Sequence, residues 1–272
     1  MAPRVLVDIR DGVADVRLHR PDKINALDPE MFVEIAEAGE RLKREASLRA
    51  VVLSGEGRGF CAGIDFTAFR EAVGTPLKDG PLAEVLKTDG RITHRGQQAA
   101  WVWTELEVPV VAAIHGPCFG AGLQIALGAD IRLVDPAASL AVMEVRWGIV
   151  PDMAASLTLP HLVGLDVAKE LYWTGRTVSG HDAARLGLAT RCEEDPRAAA
   201  LNLAAELARQ SPDVLRAGKR LLTGTGERSV ARQLELERQE VTALLGGANQ
   251  VEAVEAFFAK REPVYRDPGS PS

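Results

Sequence analysis

Two short apolar runs, each leading into a turn of small residues, constrain this chain more than any other feature. Residues 50–53 (Ala-Val-Val-Leu) and 108–114 (Val-Pro-Val-Val-Ala-Ala-Ile) show no polar face, the pattern of strands covered on both sides. The first leads into Gly59-Phe60-Cys61-Ala62-Gly63 and the second into Cys118-Phe119-Gly120-Ala121-Gly122. Each turn ends in Ala-Gly and opens a helix-like segment, so the pair reads as an internal repeat of a strand, turn and helix unit in an α/β protein. A turn of small residues exposes backbone N–H groups that no intrahelical partner satisfies. Two such donors aimed at one point would make an oxyanion hole, worth roughly 3 to 4 kcal/mol per donor in hydrolases. At Ala121 the positive end of the helix that follows adds to the effect. Taken singly, such turns serve equally for close packing.

The rest of the chain organises around this repeat. Residues 5–9 and 13–18 alternate apolar with polar across Asp11-Gly12, which reads as a β-hairpin. Residues 28–45 space Met31, Ile35, Ala38 and Leu42 at helical intervals, with Asp28 as N-cap and Pro29 at the first helical position. Residues 75–90 mix Pro, Gly, Asp and Lys without periodicity, as a mobile surface loop does. From Arg197 the texture turns helical: Ser211-Pro212 starts one helix, Gly246-Gly247 stops another, and Asn249 with Glu252 resembles a capping box. The expected division is a mixed α/β body over 1–200 and a helical region over 201–272.

Composition excludes several classes. With 46% hydrophobic and 26% charged residues the chain has the profile of a soluble globular protein. No stretch approaches a bilayer span and no signal peptide is evident, so a cytoplasmic location is expected. Cys61, Cys118 and Cys192 form no CxxC pair and no even-numbered framework, which suggests neither disulfides nor a metal site. The net charge of -6 argues against nucleic acid as a partner.

The turns, with Arg20-Pro21-Asp22-Lys23-Ile24-Asn25-Ala26-Leu27, Ile64-Asp65 after the first turn, Gly116-Pro117 before the second, Ala129-Asp130-Ile131-Arg132 and Glu144-Val145-Arg146-Trp147-Gly148-Ile149-Val150-Pro151, strongly resemble the crotonase superfamily, the enoyl-CoA hydratase and isomerase group. The motifs occur in family order over nearly the whole chain. The resemblance implies a spiral of β-β-α turns with a C-terminal helical trimerisation region, and assembly as a homotrimer or a dimer of trimers. It also implies action on acyl-CoA thioesters through an enolate held by the N–H groups of Ala62 and Ala121. No separate cofactor is implied, coenzyme A being part of the substrate. Lys23 and the turn residues Gly63, Ile64 and Asp65 are suitable neighbours for coenzyme A, and Lys260 resembles a position that reaches it from the tail. Trp101 and Trp103 are candidates for the border of the acyl pocket, or for core.

The carboxylates depart from the family pattern. Hydratases of this group carry two glutamates, and the first is here Gln124, which cannot exchange a proton as a carboxylate does but can hydrogen-bond water or substrate. Glu144 matches the second, and the apolar run 140–143 before it would desolvate it and raise its pKa. Asp152 matches a carboxylate of the dienoyl-CoA isomerase branch, yet equally suits an N-cap for 153–159. These residues favour double-bond isomerisation over hydration, with a non-catalytic acyl-CoA binder as the rival reading. Gly57 to Ala62 formally satisfies a GxGxxA dinucleotide pattern but lacks the following strand that would carry its acid. There is no GxSxG elbow, and His115 reads as structural.

Overall fold

The computed structural model describes residues 2–67, 70, 80 and 83–268, so residues 75–79, 81 and 82 of the loop expected at 75–90 lie outside the described residues. The hairpin forms as its pattern dictates: β1 (Val5–Arg10) and β2 (Val13–Leu18) pair antiparallel. To β2 are added, all in parallel, β3 (Ala50–Gly55), β4 (Val110–Ile114), β6 (Ile131–Val134) and β9 (Arg191–Cys192), giving the order β1-β2-β3-β4-β6-β9. A smaller sheet joins β5 (Pro117–Phe119), β7 (Ser139–Ala141) and β8 (Val178–Ser179). The chain thus places one strand in the large sheet, the next in the small one and then turns back, as β4 to β5 and again β6 to β7. This is the spiral that the family resemblance implies.

The absence of a polar face on β3 and β4 has a direct structural cause. All six residues of β3 and all five of β4 are buried. On one face Val51, Leu53, Val110 and Ala112 join the main core with residues of α1 (Pro29–Leu42) and α2 (Arg95–Glu105). On the other, Ala50, Val52, Val111 and Ala113 pack against α7 (Pro196–Ala208) through Ala200 and Ala204. Alanine at those two positions removes the bulk that would hold the helix off the sheet. Residue 200, where a division was expected, therefore falls inside a helix seated on the body.

Short helices α3 (Ala121–Leu127), α4 (Ala155–Val163), α5 (Leu165–Thr174) and α6 (Gly180–Leu186) lie between the strands. Helices α8 (Pro212–Leu222), α9 (Val230–Leu244) and α10 (Ala248–Ala259) make the C-terminal region. Asp28 caps α1 by accepting from the Met31 N–H at 3.0 Å, a contact worth about 1 kcal/mol. Asn249 is no cap. It lies inside α10, buried, donating to Asp213 at 2.7 Å and accepting from the Arg266 N–H at 2.9 Å, while Gly247 takes the cap position. The tail thereby ties back onto α8. Among the described residues no helix is long and apolar enough to cross a membrane.

Candidate active site

The two turns at the ends of β3 and β4 meet edge to edge. The Cys61 N–H donates to the Pro117 carbonyl at 3.0 Å and the Phe119 N–H to the Cys61 carbonyl at 2.9 Å. A Cβ on Gly63, whose φ is +91°, would lie 2.9 Å from the Phe119 carbonyl oxygen and 3.9 Å from the Ala121 nitrogen. Only glycine permits both this backbone and this approach.

The first turn is held from below by Asn25. Its buried amide donates toward the Glu56, Gly59 and Phe60 carbonyls at 2.9 to 3.1 Å and accepts from the Arg20 N–H at 2.8 Å. Ile24 and Asn25 are both left-handed, with φ of +51° and +55°. That double turn carries the Ile24 carbonyl to the Ala62 N–H, which donates to it at 2.9 Å. The donor expected at Ala62 is therefore consumed inside the protein. Two residues on, Leu27 accepts the Asp65 N–H at 2.9 Å and donates to the Gly63 carbonyl at 2.8 Å, as in parallel strand pairing. Backbone N–H groups alternate in direction along an extended segment, so the Ile64 N–H faces away from Leu27 and has no acceptor among the described residues.

The second turn behaves as expected. Ala121 is the first residue of α3, so its N–H has no intrahelical partner. Ala62, Gly63, Ile64 and Ala121 all line one cavity of about 540 Å³.

The same cavity carries two acids, Glu144 and Asp152. Glu144 opens a short 3-10 turn, Glu144–Trp147, and is 6% exposed. Its Oε1 accepts from Gln124 Nε2 at 2.7 Å, and Gln124 Oε1 accepts from the Met153 N–H at 2.8 Å. A carboxylate can only accept and an N–H can only donate, so this pair of bonds assigns the amide orientation. Glu144 Oε2 is also buried and has no hydrogen-bond partner. Burial raises the Glu144 carboxyl above the usual carboxylate range. The Asp152 charge pushes the same way, against the Gln124 bond and backbone N–H groups. Gly120, with φ of +50°, lets the acid come close: a Cβ there would sit 3.3 Å from Glu144 Oε1.

Asp152 lines the same cavity and is not a helix cap. Helix α4 begins three residues later, behind Ala154 with φ of +69°, and no side chain caps it. His94, unremarked in the sequence, also lines the cavity, with Nε2 3.8 Å from Asp152 Oδ2. Its signal was present as the capping box of α2, in which Nδ1 accepts from the Gln97 N–H at 3.2 Å. Phe66 and Trp147 form an edge-on aromatic pair at the wall, with ring centroids 4.7 Å apart.

Other expected residues lie elsewhere. Trp101 is half-buried on α2 and absent from the cavity wall, and Trp103 is core, its indole N–H donating to the Ala99 carbonyl at 2.9 Å. Asp65 is tied to Arg20 at 2.5 Å and to the Thr67 N–H at 2.8 Å; burial opposes its ionisation, but these partners outweigh it and hold its carboxyl below the usual range. It braces the first turn. Lys23 is exposed in the 3-10 turn Pro21–Lys23 beside Ile24, and Lys260 is exposed at the end of α10; neither lines the cavity. Burial drives the Cys61 thiol up to about 12, against the Gly63 N–H, and Sγ donates to the Asn25 carbonyl at 3.0 Å, so it is no nucleophile. His115 Nε2 pairs with the Gly57 carbonyl at 2.9 Å, a structural contact. Among the described residues no cluster of His, Cys, Asp and Glu is arranged to hold a metal ion.

Comparison with known proteins agrees with this geometry. The model of the family described as enoyl-CoA hydratase/isomerase matches residues 8–268. A Bacillus subtilis (strain 168) protein named "Probable enoyl-CoA hydratase" is 32% identical over 257 residues, 93% of this chain and 95% of its own length. The human mitochondrial Delta(3,5)-Delta(2,4)-dienoyl-CoA isomerase is 32% identical over 254 residues, 92% of this chain and 77% of its own. A crystal structure of a probable enoyl-CoA hydratase/isomerase from Mycobacterium abscessus superposes with a TM-score of 0.86 at 32% identity, covering 97% of this chain and 98% of that one.

Proposed function

The chain belongs to the enoyl-CoA hydratase/isomerase family, and from that premise we propose that it moves the double bond of an enoyl-CoA thioester. The observation that carries this reading is the division of labour within Glu144. One oxygen is anchored by Gln124, and the other is buried without a partner in a cavity that faces two backbone donors.

In this reading the thioester oxygen of a 3-enoyl-CoA sits between the Ile64 and Ala121 N–H groups. Glu144 Oε2 removes a proton from the α-carbon, and the electron pair moves onto the thioester oxygen as a dienolate. The two N–H groups stabilise that charge more than they stabilise the ground state, which is what accelerates the step. Return of the proton at the γ-carbon completes the shift and restores the carboxylate. Burial supports the assignment, because a carboxyl held above its usual range is a better match to an α-proton at neutral pH.

Gln124 argues against hydration as the main reaction. Hydratases of this family place a second carboxylate beside Glu144 to take the water proton, and the side chain beside it here is Gln124, an amide that cannot take one and whose Nε2 and Oε1 are already bonded to Glu144 and to the Met153 N–H. The expected result is that isomerisation of a 3-enoyl-CoA outpaces hydration of a 2-enoyl-CoA. Product identification on a panel of 2-enoyl, 3-enoyl and 3,5-dienoyl thioesters checks it, and hydration running faster would sink it. Glu144→Gln should retain acyl-CoA binding and lose about 10²- to 10⁴-fold in turnover; a variant near wild-type rate removes Glu144 from the chemistry.

Coenzyme A then enters only as part of the substrate, with the outer flank of the first turn near Lys23 as its approach. Assembly through the tail is part of the same reading. Phe257, Phe258, Leu222 and Val230 are each more than 70% exposed there, an apolar surface suited to a trimer or hexamer. A cytoplasmic location accompanies it.

A further inference from the structure

We propose that His94 is a positioning residue for Asp152, holding that carboxylate toward the reacting chain as the second proton-handling group of the site. This rests on the reading above and deepens it.

The cavity wall is apolar where Phe32, Phe66, Val85 and Met153 form it, and His94 and Asp152 stand in that wall together. His94 is held by its place in the chain. As N-cap of α2 its Nδ1 accepts from the Gln97 N–H at 3.2 Å, and the Gln97 side chain accepts from the His94 N–H at 3.1 Å. An accepting Nδ1 carries no proton, so the neutral ring carries its proton on Nε2. That nitrogen is the one turned toward Asp152, 3.8 Å from Oδ2. The cap thus selects the tautomer that can donate.

The separation is longer than a hydrogen bond, and Asp152 is the freer partner: its side chain is 57% exposed against 17% for His94. A small rotation of the carboxylate closes the gap, as catalytic hydrogen bonds commonly do when substrate binds. Among the described residues the titratable groups near the pair are Glu144, which lines the same cavity, and Tyr172 on α5, whose hydroxyl donates to the Pro151 carbonyl at 3.3 Å beside Asp152. Neither supplies Asp152 with a positive neighbour, which leaves His94, among the described residues, as the side chain placed to orient it.

Two substitutions separate orientation from capping. In His94→Asn the short side chain still caps α2 but cannot reach Asp152. In His94→Gln the amide nitrogen reaches where the ring Nε2 sits, while the cap is weakened. Positioning predicts that H94N melts as wild type does but loses about tenfold in kcat on the substrate the panel identifies, with KM within about twofold. It predicts that H94Q melts lower yet recovers most of kcat, and that H94N combined with Asp152→Asn loses no more than D152N alone. A merely structural His94 gives the reverse order, H94Q slower than H94N, and that order overturns the inference. So does an H94N enzyme within twofold of wild type, or losses that multiply in the double variant. A wild-type protein that neither isomerises any of the thioesters nor exchanges an α-proton with solvent overturns the isomerase reading itself, a result distinct from those three.

Discussion

The turn at 59–63 and the turn at 118–122 are near copies in sequence and differ in how they offer a donor. At the second, Ala121 begins a helix and its N–H is free because nothing within that helix can accept it. At the first, the N–H of the matching Ala62 is taken by the Ile24 carbonyl, and the N–H without an acceptor among the described residues falls two residues later, at Ile64. The second turn makes its donor from its own helix. The first makes it with help from residues nearly 40 positions away, through the left-handed pair Ile24-Asn25 and the amide of Asn25. A repeated motif therefore fixes that a donor exists, and the neighbouring chain fixes which one.

The sharpest way to break this comparison is to delete the donors one at a time. Replacing a single backbone N–H by an ester oxygen at Ile64 should cost about 10²- to 10³-fold in kcat. The same replacement at Ala62 should leave kcat close to wild type and lower stability by about 1 kcal/mol, the worth of one buried hydrogen bond. If the ester at 62 is the one that stops turnover, the two turns are equivalent after all.

The next effect is on folding. Asn25→Ala removes the amide under the first turn, leaves the Gly59 and Phe60 carbonyls buried without that donor, and puts alanine at a φ of +55°. A loss of about 3 kcal/mol in denaturant unfolding is expected. A loss below about 0.5 kcal/mol would mean that the first turn is as self-supporting as the second.

The smallest effect concerns the acid that packs on Gly120 of the second turn. Burial raises the Glu144 carboxyl in the folded state, so folded protein takes up its proton more readily than unfolded chain does. Stability from this group is fully present below the ordinary carboxylate pKa and is lost as pH rises through the raised folded value. Glu144→Gln should therefore melt higher than wild type at pH 8, and the difference should shrink as pH falls below about 4, where both side chains are neutral. Equal melting temperatures at both ends would show that ionised Glu144 bears no desolvation cost.

Much of this protein was legible in its residues. Alternation and the Asp11-Gly12 turn produce the hairpin, Asp28-Pro29 starts α1, and the faceless runs become β3 and β4 because both sides of the sheet are covered. The family was legible from motifs in order along the chain, and with it the presence of Glu144 and of Gln124 where a second glutamate is usual, but not the bond between those two side chains. Those features are local or recur as motifs, and local backbone preference with burial is enough to specify them. Tertiary structure alone decided where hydrogen bonds and side chains come to rest. It gave the Ala62 N–H to Ile24, turned the Ile64 N–H away from Leu27, started α4 too late for Asp152 to cap it, and drew Asn249 inward to Asp213. It also brought His94, Phe66 and Trp147 to the cavity and kept Trp101 out of it. Each of these is a competition for one partner among groups far apart in the chain. Its outcome depends on distances between elements, which no residue carries by itself.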